Sequence, residues 1–291
     1  MVLINAAAGS GYDTAWVAAL AQRFQQQGLA AKIVLARSGE ELIAGAQQAV
    51  AGGARLVVAG GGDGSINAVA ATLVGTSTVL GVLPLGTLNH FARDMRIPLS
   101  LDEAVANLAQ GHAVAVDVGE VNGRIFLNNS SLGIYPDIVR DREQQQRRFG
   151  RSKWAAFGRA MFGALRRFPF LSLQLTIDGV QHTRRTPFIF IGNNEYQQGW
   201  NTGRRSSLDT GTLWLYVAQR PTRLALLRYA LHLLWGRLGQ ARDFDVLQTQ
   251  ALTIATRRRK LRVSTDGEVT RMQPPLCYRS RPAALQVMVP R

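Results

Sequence analysis

The chain has 291 residues, 46% of them hydrophobic and 18% charged, which suits one large or two smaller packed domains and excludes a disordered polymer. Its 34 Lys and Arg against 19 Asp and Glu give a formal net charge of +15, so the expected partner is anionic: a nucleotide, a nucleic acid or acidic lipid headgroups. The one cysteine, Cys277, excludes an internal disulfide and is compatible with a reducing compartment.

Val2 to Ile4 reads as a short strand, with no basic and apolar leader before it, so no signal peptide is expected. Asn5 to Gly11 is a loop of small residues, and Ala15 to Phe24 has helical apolar spacing. Ala31 to Ala36 is a second strand and Gly39 to Ala51 a second helix. Leu56 to Ala59 is a short apolar run suited to a strand buried on both faces. Gly60, Gly61, Gly62 and Gly64 follow, and Ile66, Val69 and Leu73 then take up helical spacing. Strand, glycine turn and helix is the layout of a phosphate-binding βα unit, in which backbone amides at the helix start meet the anion. A bland βα turn accounts for the glycines equally well.

Asp63 sharpens the choice. A carboxylate in a phosphate cradle repels its ligand unless a divalent cation lies between them, which points to a metal-bound nucleoside triphosphate. The loop is not a Walker A loop, lacking Gly-Lys-Ser/Thr, and Ser65 to Asn67 lack the third glycine of a dinucleotide fingerprint. Val79 to Leu83 is a fourth strand, ending in Pro84-Leu-Gly86-Thr87. Asn89 to Met95 and Leu101 to Gln110 are helical. Repeated βα units imply a parallel sheet with helices on both faces, whose ligands bind beyond the carboxyl ends of the strands. Three such ends carry small or hydroxyl residues: Asn5 to Gly11, Gly60 to Asn67 and Gly86 to Asn89. Thr87 and Asn89 can donate to phosphate or ribose, or Asn89 can simply cap a helix.

From about residue 115 the texture changes. Val116 to Leu127 is two strands around the hairpin signal Asn122-Gly123. Leu171 to Ile177 alternates with period two and turns at Asp178-Gly179. Pro187 to Ile191, Leu213 to Val217 and Leu252 to Ala255 continue the strands, and Leu261 to Thr265 turns at Asp266-Gly267 into Glu268 to Thr270. Two helical segments interrupt this series. Arg147 to Phe168 is basic and amphipathic, suited to an anionic membrane or to packing on the sheet with a solvated face. Thr222 to Leu238 is apolar on most sides, and its core, Leu224 to Leu238, is too short to span a bilayer. The expectation is an α/β domain over 1–115, a mainly antiparallel β-rich domain over 116–276, and a C-terminal strand in 277–291. The run Leu285 to Val289 can pack with either domain, and it is assigned back to the first.

Gly61-Gly-Asp-Gly-Ser-Ile-Asn67 together with Pro84-Leu-Gly-Thr-Leu-Asn-His-Phe-Ala-Arg93 resembles the catalytic domain of diacylglycerol kinases, a family that includes bacterial soluble lipid kinases and is related to sphingosine kinases and NAD kinases. Asn5-Ala-Ala-Ala-Gly9 resembles that family's Asn-Pro-x-x-Gly. Phe126 to Gly133, Leu208-Asp-Thr-Gly211 and Asp266-Gly-Glu268 match it in the same order, so the resemblance runs from residue 5 to 268. It implies an NAD-kinase-like α/β domain, a β-rich acceptor domain and a cleft between them holding ATP. The implied nucleotide contacts are Asn5, Gly9, Gly60, Gly61, Gly62, Asp63, Gly64, Ser65, Asn67, Gly86, Thr87 and Asn89. It implies Mg²⁺ at Asp63, with Asp117 and Asp209 as further ligands, and a general base at Glu268 or, second, Asp266. Extended geometry would put those two carboxylates on one face, whereas Thr-Asp-Gly-Glu in isolation is a hairpin turn.

Two departures stand out: His90 where the family has Asp, and Thr210 where it has the second Asp of Asp-Asp-Gly. The resemblance implies a lipid kinase acting on a diacylglycerol-like or sphingoid acceptor at an anionic membrane surface, cytoplasmic and peripheral, with a homodimer compatible. An NAD kinase is the second enzyme alternative. A catalytically silent basic module binding membrane or nucleic acid is the third, although no nucleic-acid fold signature is present.

Overall fold

In the structure, a computed structural model, residues 1–6, 12–133, 170–196, 205, 207–218 and 244–291 are described. Gly9 and the two helical segments expected at Arg147 to Phe168 and Thr222 to Leu238 lie outside the described residues. The chain divides into two compact units: unit 1 comprises 1–118 and 281–291, and unit 2 comprises 119–280.

Unit 1 opens with β1 (Val2–Asn5), α1 (Thr14–Gln26), β2 (Ile33–Ala36), α2 (Gly39–Ala51), β3 (Leu56–Gly61), α3 (Asp63–Leu73) and β4 (Val79–Pro84). The short α4 (His90–Asp94) and α5 (Leu101–Gln110) follow. The strands pair in parallel in the order β2-β1-β3-β4, as βα repeats require. The last part of β16 (Leu276–Val289) adds beside β4, also parallel, with Gln286 opposite Val79. Three helices start where a side chain satisfies an orphan amide: Asp13 accepts from Trp16 N, Ser38 from Glu41 N and Ser100 from Glu103 N. Val2, Ile4, Val58 and Leu83 from the strands pack with Leu20, Phe24, Val105 and Leu108 from the helices.

β5 (His112–Val121) leads from unit 1 into unit 2, which continues with β6 (Arg124–Phe126), β7 (Asn129–Gly133), β8 (Leu171–Ile177), β9 (Val180–Thr186) and β10 (Phe188–Asn193). Then come β11 (Leu213–Ala218), β12 (Phe244–Thr249), β13 (Ala251–Ala255), β14 (Leu261–Thr265), β15 (Glu268–Met272) and the start of β16. Pairing among these strands is antiparallel, in the series β16-β13-β8-β9 and β12-β11-β10-β7-β14-β15. Alternating residues of the two series meet in one core. Leu173, Leu175, Leu252 and Ile254 come from the first series, and Leu132, Ile189, Ile191, Leu215 and Val263 from the second. A second aromatic cluster, with Phe188, Phe190, Tyr196 and Tyr216, uses the other residue parity of β10 and β11.

An α/β parallel domain followed by a mainly antiparallel β domain is therefore the fold class. α3 begins at Asp63, three residues before the apolar periodicity at Ile66, so the glycine-rich segment closes β3 with Gly61, caps α3 with Gly62 and enters its first turn with Gly64. β16 is one 14-residue strand that starts in unit 2 and ends in unit 1, because the chain crosses between Ser280 and Arg281. Ile189 is fully buried in the unit 2 core. Ile189→Ala should lower unfolding free energy by about 2–5 kcal/mol, read as a lower urea midpoint at an unchanged slope.

Candidate functional site

In unit 1 the carboxyl ends of β1, β3 and β4 supply the expected loops. Asn5 closes β1, and its Nδ2 donates to Ser65 Oγ in the first turn of α3 at 2.7 Å. The loops after β3 and β4 approach so closely that a Cβ on Gly86 would sit 2.5 Å from Gly62 Cα. A Cβ on Gly61 would likewise fall 2.7 Å from the Ser65 side chain. Leu85 N donates to Gly61 O at 3.0 Å across the same contact. α3 has Gly62 at its N-cap and no side-chain cap, so the first amides of the helix, Asp63 and Gly64, have no acceptor within it. Exposed amides, the positive helix end and adjoining backbone with no Cβ in the way can receive a phosphate.

Not every expected contact residue is open to solvent. Asn89 is buried in left-handed backbone, φ 51°, and its side chain staples its own loop. Its Oδ1 accepts from Gly86 N at 3.0 Å, while Nδ2 donates to Gly86 O at 2.8 Å and to Pro84 O. It occupies the N-cap position of α4 without making a cap bond. Thr87 and His90 beside it are exposed, and Asn67 is half-buried. Asp63 has a partner that sequence reasoning missed: its Oδ1 accepts from Phe91 N at 3.1 Å. A carboxylate among these glycines is thus satisfied in part by α4, so its presence alone does not demand a cation.

For magnesium the three acids differ. Among the described residues, no three His, Cys, Asp or Glu side chains gather into a metal site. Asp117 is buried and its Oδ1 accepts from Ala283 N at 2.9 Å, binding β16 to β5 rather than joining Asp63 in a cage. Asp209 accepts from the Ser207 hydroxyl. Thr210, which stands where a second acid would, gives its backbone and side-chain donors to Asn194 Oδ1 and its Oγ1 meets Thr212 Oγ1 at 2.8 Å. The Asp209 turn therefore offers one carboxylate where the implied site has two. Asp63 does fit a cation delivered on phosphates, since magnesium keeps its waters and needs one or two carboxylates.

In unit 2 the expected acidic pair is split by a tight turn. Asp266 and Gly267 both have positive φ, 48° and 87°, and Thr265 pairs with Glu268 across them. The segment is not extended, so the two carboxylates do not share one face. Asp266 points inward: Oδ2 accepts from Leu127 N at 2.6 Å, and Oδ1 from Asn128 N and Asn129 N at 2.8 and 2.9 Å. Burial pushes its carboxyl above the ordinary range, while the three amides and the Arg205 guanidinium pull it back down. Buried Arg205 braces the same loop through Leu127 O, Asn193 O and Asn128 Oδ1. Glu268 is exposed instead. Its Oε2 lies 2.6 Å from Arg124 Nη2, and Arg124 Nε donates to buried Thr265 Oγ1 at 2.9 Å. Arg124 follows the Asn122-Gly123 turn, and no sequence signal beyond that hairpin marks it.

The family model described as "Diacylglycerol kinase catalytic domain" matches residues 1–121. The model described as "YegS C-terminal NAD kinase beta sandwich-like domain" matches residues 133–289, more than half of the chain. A "Probable lipid kinase YegS-like" of Citrobacter koseri is 45% identical over 85 residues, 28% of this chain and 28% of its own length. One of Yersinia enterocolitica with the same description is 43% identical over 81 residues, 26% of this chain and 27% of its own. The matched stretch thus spans little more than a quarter of these relatives. A crystal structure from Bacillus anthracis str. Sterne, named as a diacylglycerol kinase, covers 99% of this chain and 95% of that one at a TM-score of 0.69 and 19% identity. A second structure from that organism covers 99% and 96% at 0.75 and 20%. Likeness at that identity shows the fold alone.

The site geometry gives Asp266 a pH signature. Because its native value is raised, its contribution to stability is fully present below the unfolded value near 3.9 and is lost as pH rises through the native one. Asp266→Asn should destabilise unit 2 by removing the acceptor for Leu127 N. The stability gap between wild type and variant should narrow as pH increases, measured by urea unfolding from acid to neutral pH.

Proposed function

The chain belongs to the family defined by a diacylglycerol kinase catalytic domain followed by a YegS-type β-sandwich domain, and from that premise we propose that it transfers the γ-phosphate of ATP to a hydroxyl of a diacylglycerol-like or sphingoid lipid. The observation that carries the donor half is the contact of Gly62 with Gly86 at the uncapped start of α3. Backbone without a Cβ, next to helix amides, lets phosphate oxygens come within hydrogen-bond reach. Ser65, held by Asn5, and exposed Thr87 add hydroxyl groups at the same edge. Magnesium, when bound, would neutralise phosphate charge and would be held by Asp63.

The acceptor half of the reading rests on Glu268. An exposed carboxylate can accept the proton of a lipid hydroxyl as that oxygen attacks phosphorus. Arg124 bonds one of its oxygens and is itself tied to Thr265, so the carboxylate is aimed rather than free to rotate. Asp266, enclosed by three amides, serves the loop and not the acceptor. The basic surface favours approach to an acidic bilayer, in keeping with the net charge of +15. No helix among the described residues is long and apolar enough to cross a membrane.

The test is transfer of radiolabelled γ-phosphate from ATP to a total lipid extract, run in parallel with NAD as acceptor. Label in the organic phase supports the proposal; label on NAD alone, or no ATP consumption with any lipid, overturns it. Glu268→Gln should lower turnover by about 10²-fold or more with ATP affinity unchanged. Arg124→Ala should cost about tenfold, partly restored in Arg124→Lys, and full activity in Glu268→Gln would remove the base assignment.

A further inference from the structure

Unit 2 carries a concentration of positive charge that neither half of the reaction uses. The connection between β13 and β14, residues 256–260, holds Arg257, Arg258, Arg259 and Lys260 in an unbroken run, all exposed. None of the four forms an ion pair with a described residue. Thr256 Oγ1 donates to Ser172 O at 3.0 Å, which fixes the start of the run beside the first residues of β8. Ser172 in turn pairs with Arg185 of β9, an exposed guanidinium 5.2 Å from the centre of the Phe170 ring. On the other side β14 runs into Arg262, directly opposite Arg271 of β15.

Four of the acids described in this unit are engaged elsewhere. Glu120 pairs with Arg279, Glu268 with Arg124, Asp245 faces Arg184 at 4.0 Å, and Asp266 sits among backbone amides. Like charges opposite one another on neighbouring strands destabilise the pair. Consecutive cations on a five-residue connection also repel, because they lie well within a screening length of about 8 Å. A solvated face usually intersperses both signs, whereas the described residues 170–172, 185, 256–262 and 271 along this edge bring cations from four separate elements and no acid of their own; Arg262 has a further partner.

We propose that this edge, centred on residues 256–262 with Arg185 and Arg271, is the surface by which the protein docks on anionic phospholipid headgroups. A bilayer suits it better than nucleic acid. The edge centres on a short loop between strand ends, and its one described aromatic, Phe170, lies against Arg185 rather than interleaving the run. A headgroup array asks only for point charges in a plane, and each contributes near the surface. This deepens the lipid-kinase reading and rests on it for its purpose. The Arg262–Arg271 pair stands three residues along the hairpin from the Thr265–Glu268 pair, about 10 Å away. The docked edge therefore brings the unit that bears Glu268 to its substrate without including Glu268.

The test is co-sedimentation of the full chain with phosphatidylcholine vesicles, with and without phosphatidylglycerol. Wild type should sediment with the anionic vesicles only, and less as salt rises. The double variant Arg257→Ala with Arg259→Ala should bind about thirtyfold more weakly, and the corresponding Glu double variant more weakly still. Equal sedimentation of wild type and both variants overturns the proposal. So does displacement by inorganic phosphate at matched phosphate concentration, or tighter, edge-dependent binding to duplex DNA. Vesicle binding through this edge with no lipid phosphorylated would sink the kinase reading and leave docking intact. Unchanged phosphorylation of vesicle lipid by the Glu double variant would sink docking and leave the kinase reading intact.

Discussion

The site in unit 1 depends on two backbones touching where no side chain intervenes. Gly62 and Gly86 bring the loops after β3 and β4 into contact, and a single Cβ on Gly86 would overlap Gly62 Cα. Everything nearby serves to hold that contact. Leu85 N bonds Gly61 O, Asn89 staples the second loop to itself, and Phe91 N reaches Asp63 in the first helical turn. The result is a fixed arrangement of backbone dipoles at the end of a parallel sheet. Such an arrangement reorganises little on meeting an anion, which is the condition under which dipoles contribute most to phosphoryl transfer.

Unit 2 handles its two neighbouring carboxylates in opposite ways. The turn at Asp266-Gly267 sends one side chain inward and leaves the next outside. Three backbone amides close around Asp266, so it organises the connection between β6 and β7. Glu268 stays exposed but is held by Arg124. Proximity in sequence therefore says little about shared chemistry. Environment decides that one acid is a structural anchor while the other remains open to a reacting group.

Much of this was legible in the sequence, and the exceptions have physical reasons. The parallel unit could be read because buried βα repeats alternate apolar runs with 3.6-residue spacing. Apolar spacing marks α3 only from Ile66, because its first turn is Asp63-Gly64-Ser65 and has no apolar periodicity. β7 is Asn-Ser-Ser-Leu-Gly, a composition typical of loops, yet it is a central strand between β10 and β14 with Ser130 and Ser131 fully buried. β9 carries mostly polar residues and is held as a strand by its register with β8. The internal partners of Asn89 and Asp63, the Gly86 and Phe91 amides, were invisible in the sequence because they meet these side chains only in the folded loop. The Asp266–Glu268 alternation failed because a hairpin turn, itself signalled by Asp-Gly, reverses the chain between them.

The most direct measurement of the central claim is calorimetric titration of ATP with magnesium into wild type and Gly86→Ala, with the unfolding midpoint recorded alongside. The account predicts saturable binding to wild type and at least about tenfold weaker binding to the variant, because its Cβ forces apart the two loops proposed to receive the phosphates. No heat from wild type at millimolar-scale nucleotide, or undiminished affinity in a folded Gly86→Ala protein, would contradict it.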